Sequence, residues 1–272
     1  MNNQITTVLP KKNPLPKKIY VPVAGNELLG KALENINNNV EINTLWRVIN
    51  INAIDRLGMS DHGPVHVQII ANLALRLTRI LLKNNLEMSI TKYYGLSSQY
   101  AELVVLLASL FHDLGMSIAR EGHEEFSLFL ANDLLHKVLD FLPVEERTIV
   151  TSEVLHAIIS HRSGGKPHTL EAGIVRVADA LDMSEGRSRI PYEAGNVDIY
   201  SVSAAAIDKV EIAEGDEKPI QINILMNNSA GLFQVDELLK KKLIGSGIEK
   251  HVKIRALIER RREKKLLKEF EI

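Results

Sequence analysis

Apolar residues recur at helical spacing through much of the chain, and two stretches show the pattern most clearly. They are Ile69, Ile70, Leu73, Leu77, Ile80 and Leu81, then Ile149, Val150, Val154, Ala157 and Ile158. This period predicts amphipathic helices that each bury one face. Pro143, followed by Glu145 and Glu146, predicts the start of the second helix, and Thr169 predicts the N-cap of the next. Residues 26 to 182 are therefore predicted to be nearly all helical.

The pattern changes after Gly186, where apolar and polar residues begin to alternate. The segment from Ile220 to Met226 has the period of a half-buried strand, and a turn at 215 to 217 separates it from Val210 and Ile212. We expect a hairpin there, then a short helix over 235 to 243 and a further strand over 252 to 256. The predicted fold class is mainly α: a helical bundle with a small C-terminal α+β subdomain.

This division gives three regions. Residues 1–24 carry Pro10, Pro14, Pro16 and Pro22 among lysines and predict an extended N-terminal arm. Residues 25–190 form the predicted helical domain, and 191–272 form the α+β subdomain with a basic helical tail. Acids interrupt the charge run from Glu259 to Lys265, which favours a solvated or partner-facing helix over nucleic-acid binding. The subdomain strands could pair with a second copy, so a homodimer is expected.

Composition excludes several kinds of chemistry. The chain has 272 residues and no cysteine, so it has no thiolate metal site, disulfide or cysteine nucleophile. Its 33 Lys and Arg balance 34 Asp and Glu, which argues against a surface tuned to nucleic acid or anionic membrane. Uninterrupted apolar runs fall short of the roughly 18 residues of a membrane span. The N-terminus resembles no signal peptide, and a cytoplasmic location is expected.

The sequence places His112 and Asp113 at the end of an apolar run from Leu103 to Gly115. An imidazole beside a carboxylate is costly to bury unless both are bound. The pair could cap the helix or hydrogen-bond locally, or it could hold a metal ion. Other residues of the same kind bear on the choice.

Several other metal-capable side chains fall on the inward faces of predicted helices. His66 precedes Ile69 and Ile70 by three and four residues, and His62 can share its face. His161 and Asp179 follow inward apolar residues, and His123 stands at a predicted helix start. Each histidine alone is more often a satisfied structural residue, but several in one bundle would be hard to bury without a common ligand.

The order His66, His112-Asp113 and Asp179 resembles the H...HD...D signature of the HD-domain superfamily of metal-dependent phosphohydrolases. The segment 111 to 115 resembles the HDIG form of the motif, and 176 to 181 resembles the family's final aspartate helix. The resemblance covers roughly Ser60 to Gly186 and implies the HD-domain helical bundle.

The resemblance implies a role for each matching residue. His66, His112, Asp113 and Asp179 would be the ligands of a first metal. His123 and His161 occupy the places where binuclear members supply second-site histidines, with Asp113 as the bridge and a catalytic residue. The chain lacks the glycine-tyrosine-proline motif of the subgroup that cleaves cyclic di-GMP.

The stretch from Asp61 to His66 also resembles the paired histidines of cyclic-nucleotide phosphodiesterases. By this resemblance His62 is a candidate catalytic general acid that donates a proton to the leaving group. Asp61 and Pro64 equally suit an ordinary helix start, and the two interpretations stay open.

Phosphoester cleavage needs a strong nucleophile and relief of charge on the phosphoryl oxygens, and one or two divalent ions supply both. Mixed imidazole and carboxylate ligands suit Mn, Fe, Co, Ni or Zn, and Mg less well. Candidate substrate-binding residues are Arg162, Lys166, Arg187 and Arg189, each of which could also be a solvated loop charge. Asp182 is expected to pair with such an arginine rather than to bind metal.

The sequence therefore predicts a phosphohydrolase that acts on a small phosphomonoester or phosphodiester, and nucleotides or related small molecules are the expected substrates. Two alternatives stay open. Some proteins of this fold use a similar ligand set in a di-iron centre that activates dioxygen, and the site could instead bind a nucleotide without catalysis, as a sensor. Spacing does not identify the substrate.

Overall fold

The computed structural model describes residues 18–162, 164–183 and 199–258. Eight helices form its first part: α1 Glu27–Asn38, α2 Val40–Asn50, α3 Pro64–Lys83, α4 Ser89–Tyr94, α5 Ser98–Phe111, α6 His123–Val138, α7 Val144–Ser160 and α8 Leu170–Leu181. A π-helical turn, Ile51–Arg56, continues α2, and a 3-10 turn, Leu114–Ser117, follows α5.

The second part contains a helix, Ile199–Ala205, and strands β1 Ile207–Glu214, β2 Ile220–Met226 and β3 Val252–Ile258. A 3-10 turn, Ser229–Gly231, follows β2. A π-helical segment, Gln234–Lys240, then runs into a last helical turn, Lys241–Leu243. Another 3-10 turn, Glu249–His251, precedes β3.

Short polar side chains begin several helices as the sequence predicts. Thr169 accepts a hydrogen bond from the amide of Ala172 and caps α8. Asp61 likewise stabilises the start of α3, because its Oδ1 accepts hydrogen bonds from the amides of Gly63 and His66. These caps set the first turns of the helices that carry His66 and Asp179.

The helix α5 is the centre of the bundle. Every residue from Ala101 to Phe111 is buried, and α5 packs against α1, α3, α4, α7 and α8. Burial on all sides explains why its central run, Leu103 to Ala108, is apolar on every face rather than amphipathic. His112 and Asp113 directly follow this helix, so a helix that is packed on all sides fixes their position.

The sheet of the second part has the order β1-β2-β3. The strands β1 and β2 form the expected antiparallel hairpin, with Ile212 opposite Ile222, and β3 runs parallel to β2, with Ile254 opposite Ile222. Alternate residues of β2 are buried, and the sheet lies against α3. The predicted fold class, a helical bundle with a small α+β part, is confirmed.

The end of the predicted N-terminal arm lies against the helical bundle. Ile19 is buried, its amide donates to Asn37 Oδ1, and the amide of Tyr20 donates to Gln68 Oε1. The rest of the arm, residues 1–17, and the predicted basic tail from Glu259 lie outside the described residues.

Two helical stretches, Pro64–Lys83 and Ser98–Ser117, are long and apolar enough by length and composition to cross a membrane. Neither stretch contains an uninterrupted apolar run long enough to span a membrane, because scattered polar residues interrupt both. The sequence pattern therefore did not predict them. In their most apolar windows, 56% and 83% of the residues are buried inside the protein. Such burial is expected of core helices and makes these two stretches weak evidence for a membrane span.

Candidate metal centre

The six predicted metal ligands come together from five places in the helical bundle. His66 lies in the first turn of α3, and His112 and Asp113 follow α5. His123 begins α6, His161 follows α7, and Asp179 lies near the end of α8. All six side chains except Asp179 belong to buried residues. The structure thus assembles every metal-ligand candidate that the sequence analysis named.

A close backbone contact holds the start of α6 beside the end of α5. A Cβ atom added to Gly115 would lie 2.0 Å from the carbonyl oxygen of His123, so no larger residue fits without movement. Ser127 Oγ accepts the amide of Gly115 at 2.8 Å and lies 2.7 Å from the carbonyl oxygens of both His112 and His123. Glycine and serine therefore bring His112, Asp113 and His123 to one point.

Asp113 is the centre of the cluster because its two oxygens face different imidazoles. Its Oδ2 lies 3.3 Å from His66 Nε2 and 3.4 Å from His112 Nε2. Its Oδ1 lies 3.2 Å from His123 Nε2 and 3.9 Å from His161 Nε2. By these distances the carboxylate defines two adjoining groups, which meet where the ring centroids of His112 and His161 lie 4.8 Å apart.

The first group comprises His66, His112, Asp179 and Oδ2 of Asp113. Asp179 Oδ1 lies 3.7 Å from His66 Nε2 and 3.8 Å from His112 Nε2. His66 Nδ1 lies 2.6 Å from Asp182 Oδ2, so a carboxylate orients this ring from behind. Asp179 Oδ2 accepts an ion-pair hydrogen bond from Lys242.

The second group comprises His123, His161 and Oδ1 of Asp113. Glu124 lies beside it: a carboxylate oxygen of Glu124 and one ring nitrogen each of His123 and His161 lie within 4.8 Å of one another. Glu124 Oε2 is 3.3 Å from His123 Nδ1. This group therefore has two imidazoles and a shared carboxylate, with a further carboxylate at its edge.

In His112, His123 and His161, the ring nitrogen Nε2 faces Asp113. In each, Nδ1 lies against the backbone carbonyl three residues earlier: His112 on Ser109 at 2.9 Å, His123 on Arg120 at 2.9 Å and His161 on Ile158 at 2.6 Å. A carbonyl oxygen only accepts hydrogen bonds, so Nδ1 carries the hydrogen in His112 and His161. In the neutral ring, Nε2 then presents a lone pair to the centre, as a metal ligand requires. Nδ1 of His123 also lies 3.0 Å from Arg120 Nη1, which only donates, so the carbonyl does not settle the tautomer of that ring.

The electrostatics of the cluster are strongly coupled. Burial opposes ionisation of His112 and His123, but the nearby carboxylates outweigh burial and raise the pKa of both rings, with Asp113 the main contributor. For His161, burial and the neighbouring His112 lower the pKa to about 3, so this ring stays neutral. Burial opposes ionisation of Asp113 and Asp179 too, yet their cationic neighbours hold the pKa of each carboxyl well below its usual range.

These donors fit a divalent metal ion. His112 Nε2 is buried and has no hydrogen-bond partner among the described residues, although it faces two carboxylate oxygens. Imidazole lone pairs and carboxylate oxygens repel one another unless a cation or a proton lies between them. Mixed nitrogen and oxygen donors that converge from rigid helices are the ligands of Mn, Fe, Co, Ni and Zn.

The other predicted site residues lie around this cluster. His62 precedes α3 rather than sharing its inward face, yet its ring centroid lies 5.3 Å from that of His66. Arg162 is exposed and pairs with Glu125 at 2.7 Å, and Lys166 is exposed in the following loop. Arg187 and Arg189 lie outside the described residues.

Three contacts at the site were not predicted from the sequence. Asp182 contacts His66, and no spacing in the sequence signals this contact; of the arginines expected as its partners, Arg187 and Arg189 lie outside the described residues. Glu124 directly follows a predicted ligand. Lys242 gave no signal, because it belongs to a run of lysines that suggests a solvated surface.

Comparison with known proteins agrees with this geometry. The family model of the HD domain matches residues 63–184, the segment that carries all six candidate ligands. An uncharacterized protein of Methanocaldococcus jannaschii, MJ1020, is 42% identical over 259 residues, which cover 95% of this chain and 94% of the relative. No solved structure matches the chain significantly. With its ordered His and Asp ligands inside the matched segment, this protein belongs to the HD-domain superfamily.

Proposed function

We propose that this protein is a metal-dependent phosphohydrolase that cleaves a small phosphomonoester or phosphodiester, with a nucleotide-like substrate. One observation carries the proposal: the two oxygens of Asp113 face two separate groups of imidazoles at 3.2 to 3.9 Å. A carboxylate in this position suits the bridging of two metal ions, and two metal ions about 3.5–4 Å apart recur in phosphatases.

The chain's own residues would hold the ions as follows. His66, His112 and Asp179 would hold one ion, His123 and His161 would hold the other, and Asp113 would bridge them. When bound, divalent ions activate water as a nucleophile and neutralise charge on the phosphoryl oxygens. The backbone carbonyls behind His112, His123 and His161 keep the Nε2 atoms aimed at the centre.

We propose that His62 donates a proton to the leaving group. Its Nδ1 lies 2.8 Å from the carbonyl oxygen of Ser60, and its amide donates to Asn50 Oδ1 at 3.1 Å, so both the ring and its backbone are oriented. The side chain is half-buried beside His66, where a substrate could still reach it. A histidine that is both held and accessible suits general acid catalysis.

Two cationic side chains are proposed to guide an anionic substrate. Arg162 is exposed and directly follows the buried His161 after the end of α7, and the exposed Lys166 lies four residues later. The ion pair of Arg162 with Glu125 is exposed, so exchanging it for a phosphate contact would cost little.

A cytoplasmic location and a homodimer are also proposed. Support for the dimer comes from β3, an edge strand of the described sheet, where Leu257 and Ile258 are 46% and 39% exposed. An exposed apolar edge can pair with the same strand of a second copy.

The function is tested by a substrate screen on the full chain loaded with Mn, Co or Ni. We expect hydrolysis of a generic phosphoester or of at least one nucleotide, and loss of that activity after chelation. Iron-loaded protein that consumed dioxygen and released no phosphate would favour the oxygenase alternative. Ligand-dependent thermal stabilisation without turnover would favour the sensor.

The proton-donor role has its own test in His62→Ala. We expect turnover to fall by about 10²–10⁴-fold while metal content is unchanged, because the ring transfers a proton and ligates no ion. His136→Ala, at an exposed histidine of α6, is the matched control. An unchanged rate in the His62 variant would leave that residue with a structural role only, through its contacts with Ser60 and Asn50.

A further inference from the structure

Lys242 carries a positive charge from the α+β region into the candidate metal centre. It forms an ion pair with Asp179 Oδ2, and the other oxygen of that carboxylate faces His66 and His112. Both side chains of the pair are only 16% exposed. Among the described residues, Lys242 is the one Lys or Arg that forms an ion pair with Asp113 or Asp179.

The two lysines before it behave differently. Lys240 and Lys241 are 59% and 56% exposed, and each pairs with an acid one turn earlier in the same segment. Such surface pairs contribute little to stability. Lys242 instead points away from solvent toward Asp179, although burying its ammonium has a desolvation cost. Its position therefore calls for a different explanation from that of its neighbours.

Close packing against α8 fixes the segment that carries Lys242. Arg176 donates hydrogen bonds to the carbonyl oxygens of Lys241, at 3.2 Å, and Gly165. A Cβ atom at Gly173 would lie 1.8 Å from the carbonyl oxygen of Ser246, so the two backbones touch. Leu239 and Leu243 on either side are buried. The lysine is thus held in place from both sides.

An ammonium group has three hydrogens to donate, and Asp179 accepts one of them. The others can serve an anion bound at the first group of ligands. Lysine is a common phosphate ligand because it supplies a mobile point charge. The cations predicted from sequence are less well placed, since Arg162 pairs with Glu125 and Lys166 is exposed.

We propose that Lys242 binds the phosphoryl oxygens of the substrate, so that the α+β region completes the active site of the helical domain. This inference rests on the proposed phosphohydrolase function and assigns a substrate-binding residue to it. Phosphate bound between the ions and Lys242 would contact both regions of the chain.

The test compares full-length protein with Lys242→Gln and Lys241→Gln variants, all loaded with Mn. Elemental analysis measures the metal, and calorimetric titration with inorganic phosphate measures anion binding. We expect Lys242→Gln to keep its metal and bind phosphate at least about tenfold more weakly, the effect of losing a charged hydrogen bond. Lys241→Gln should match the native protein, and Lys242→Arg should recover part of the affinity.

A second measurement needs no variant. Inorganic phosphate should slow acetylation of Lys242 in the native Mn-loaded protein, followed by peptide mass spectrometry, and should leave Lys241 unaffected. The proposal is overturned by equal protection of both lysines, by unchanged phosphate affinity in Lys242→Gln, or by loss of metal from that variant. Absence of phosphate binding to the native protein would overturn it as well.

The outcomes separate this inference from the function on which it rests. Phosphate binding that depends on Lys242, without cleavage of any phosphoester, would defeat the hydrolase proposal alone. Cleavage with unchanged KM and kcat in Lys242→Gln would defeat the lysine proposal alone.

Discussion

The two groups of ligands that meet at Asp113 are supported in different ways. The first has a second carboxylate, Asp179, and one of its imidazoles is backed by the carboxylate of Asp182. In the second, backbone carbonyls support both imidazoles, and the carboxylate nearest to them is the shared one of Asp113. The first group therefore has three carboxylates around it, one of them paired with Lys242, whereas the second has Asp113 and Glu124, which lies 3.3 Å from His123 Nδ1.

This difference leads us to expect unequal metal affinities. A carboxylate behind a ligand histidine makes the ring more basic and fixes its orientation. A carbonyl fixes the orientation but contributes only a partial charge. We expect the first group to keep its ion at low metal concentration and the second to lose its ion first.

The largest expected effect comes from Asp113→Ala, which removes the residue common to both groups. Metal content should fall at both groups. Activity should fall by more than the roughly 10–100-fold that is typical of losing a residue that only hydrogen-bonds to a metal ligand. Asp133→Ala, at an exposed residue of α6, is the control. Elemental analysis of the dialysed proteins gives the answer, and full metal retention in Asp113→Ala would mean that the bridge is misassigned.

A smaller effect should separate the groups. His161→Ala removes a ligand of the second group alone, so we expect it to retain about one ion per chain where the native protein retains about two. His66→Ala should remove the tighter ion instead. Calorimetric metal titration distinguishes the two variants. Identical titration curves would contradict the division into two groups.

The smallest expected effect tests the support behind the ligands. Asp182→Ala leaves every proposed ligand in place but removes the carboxylate from His66. Affinity for the first ion should weaken by about 10–100-fold, and the weaker titration step should be unchanged. A shift of the weaker step alone would reverse the proposed order of affinities.

The sequence predicted the bundle well because its helices obey local rules. The caps at Asp61 and Thr169 and the uninterrupted apolar run of α5 are local features, and each has the expected structural counterpart. His66 and Asp179 point into the bundle for a similar reason, since a polar residue on an apolar helix face has to point inward, whereas the other four candidates stand at helix ends.

What the sequence did not reveal depends on contacts between distant segments. Lys242 reaches Asp179 across 63 positions of sequence, through the packing of a π-helical segment on α8. Asp182 meets His66 across 116 positions. Neither contact follows from periodicity or spacing, because each depends on how two elements are oriented in three dimensions. His62 also differs from expectation, since α3 begins at Pro64, two residues after it.

Counting the metal ions bound to the purified full chain tests the proposed two-ion centre most directly. The protein is stripped with chelator, reconstituted with Mn or Co, freed of excess ion and measured by elemental analysis. We expect about two ions per chain, the number that recurs in phosphatases. A chain that folds normally and retains no ion would contradict it.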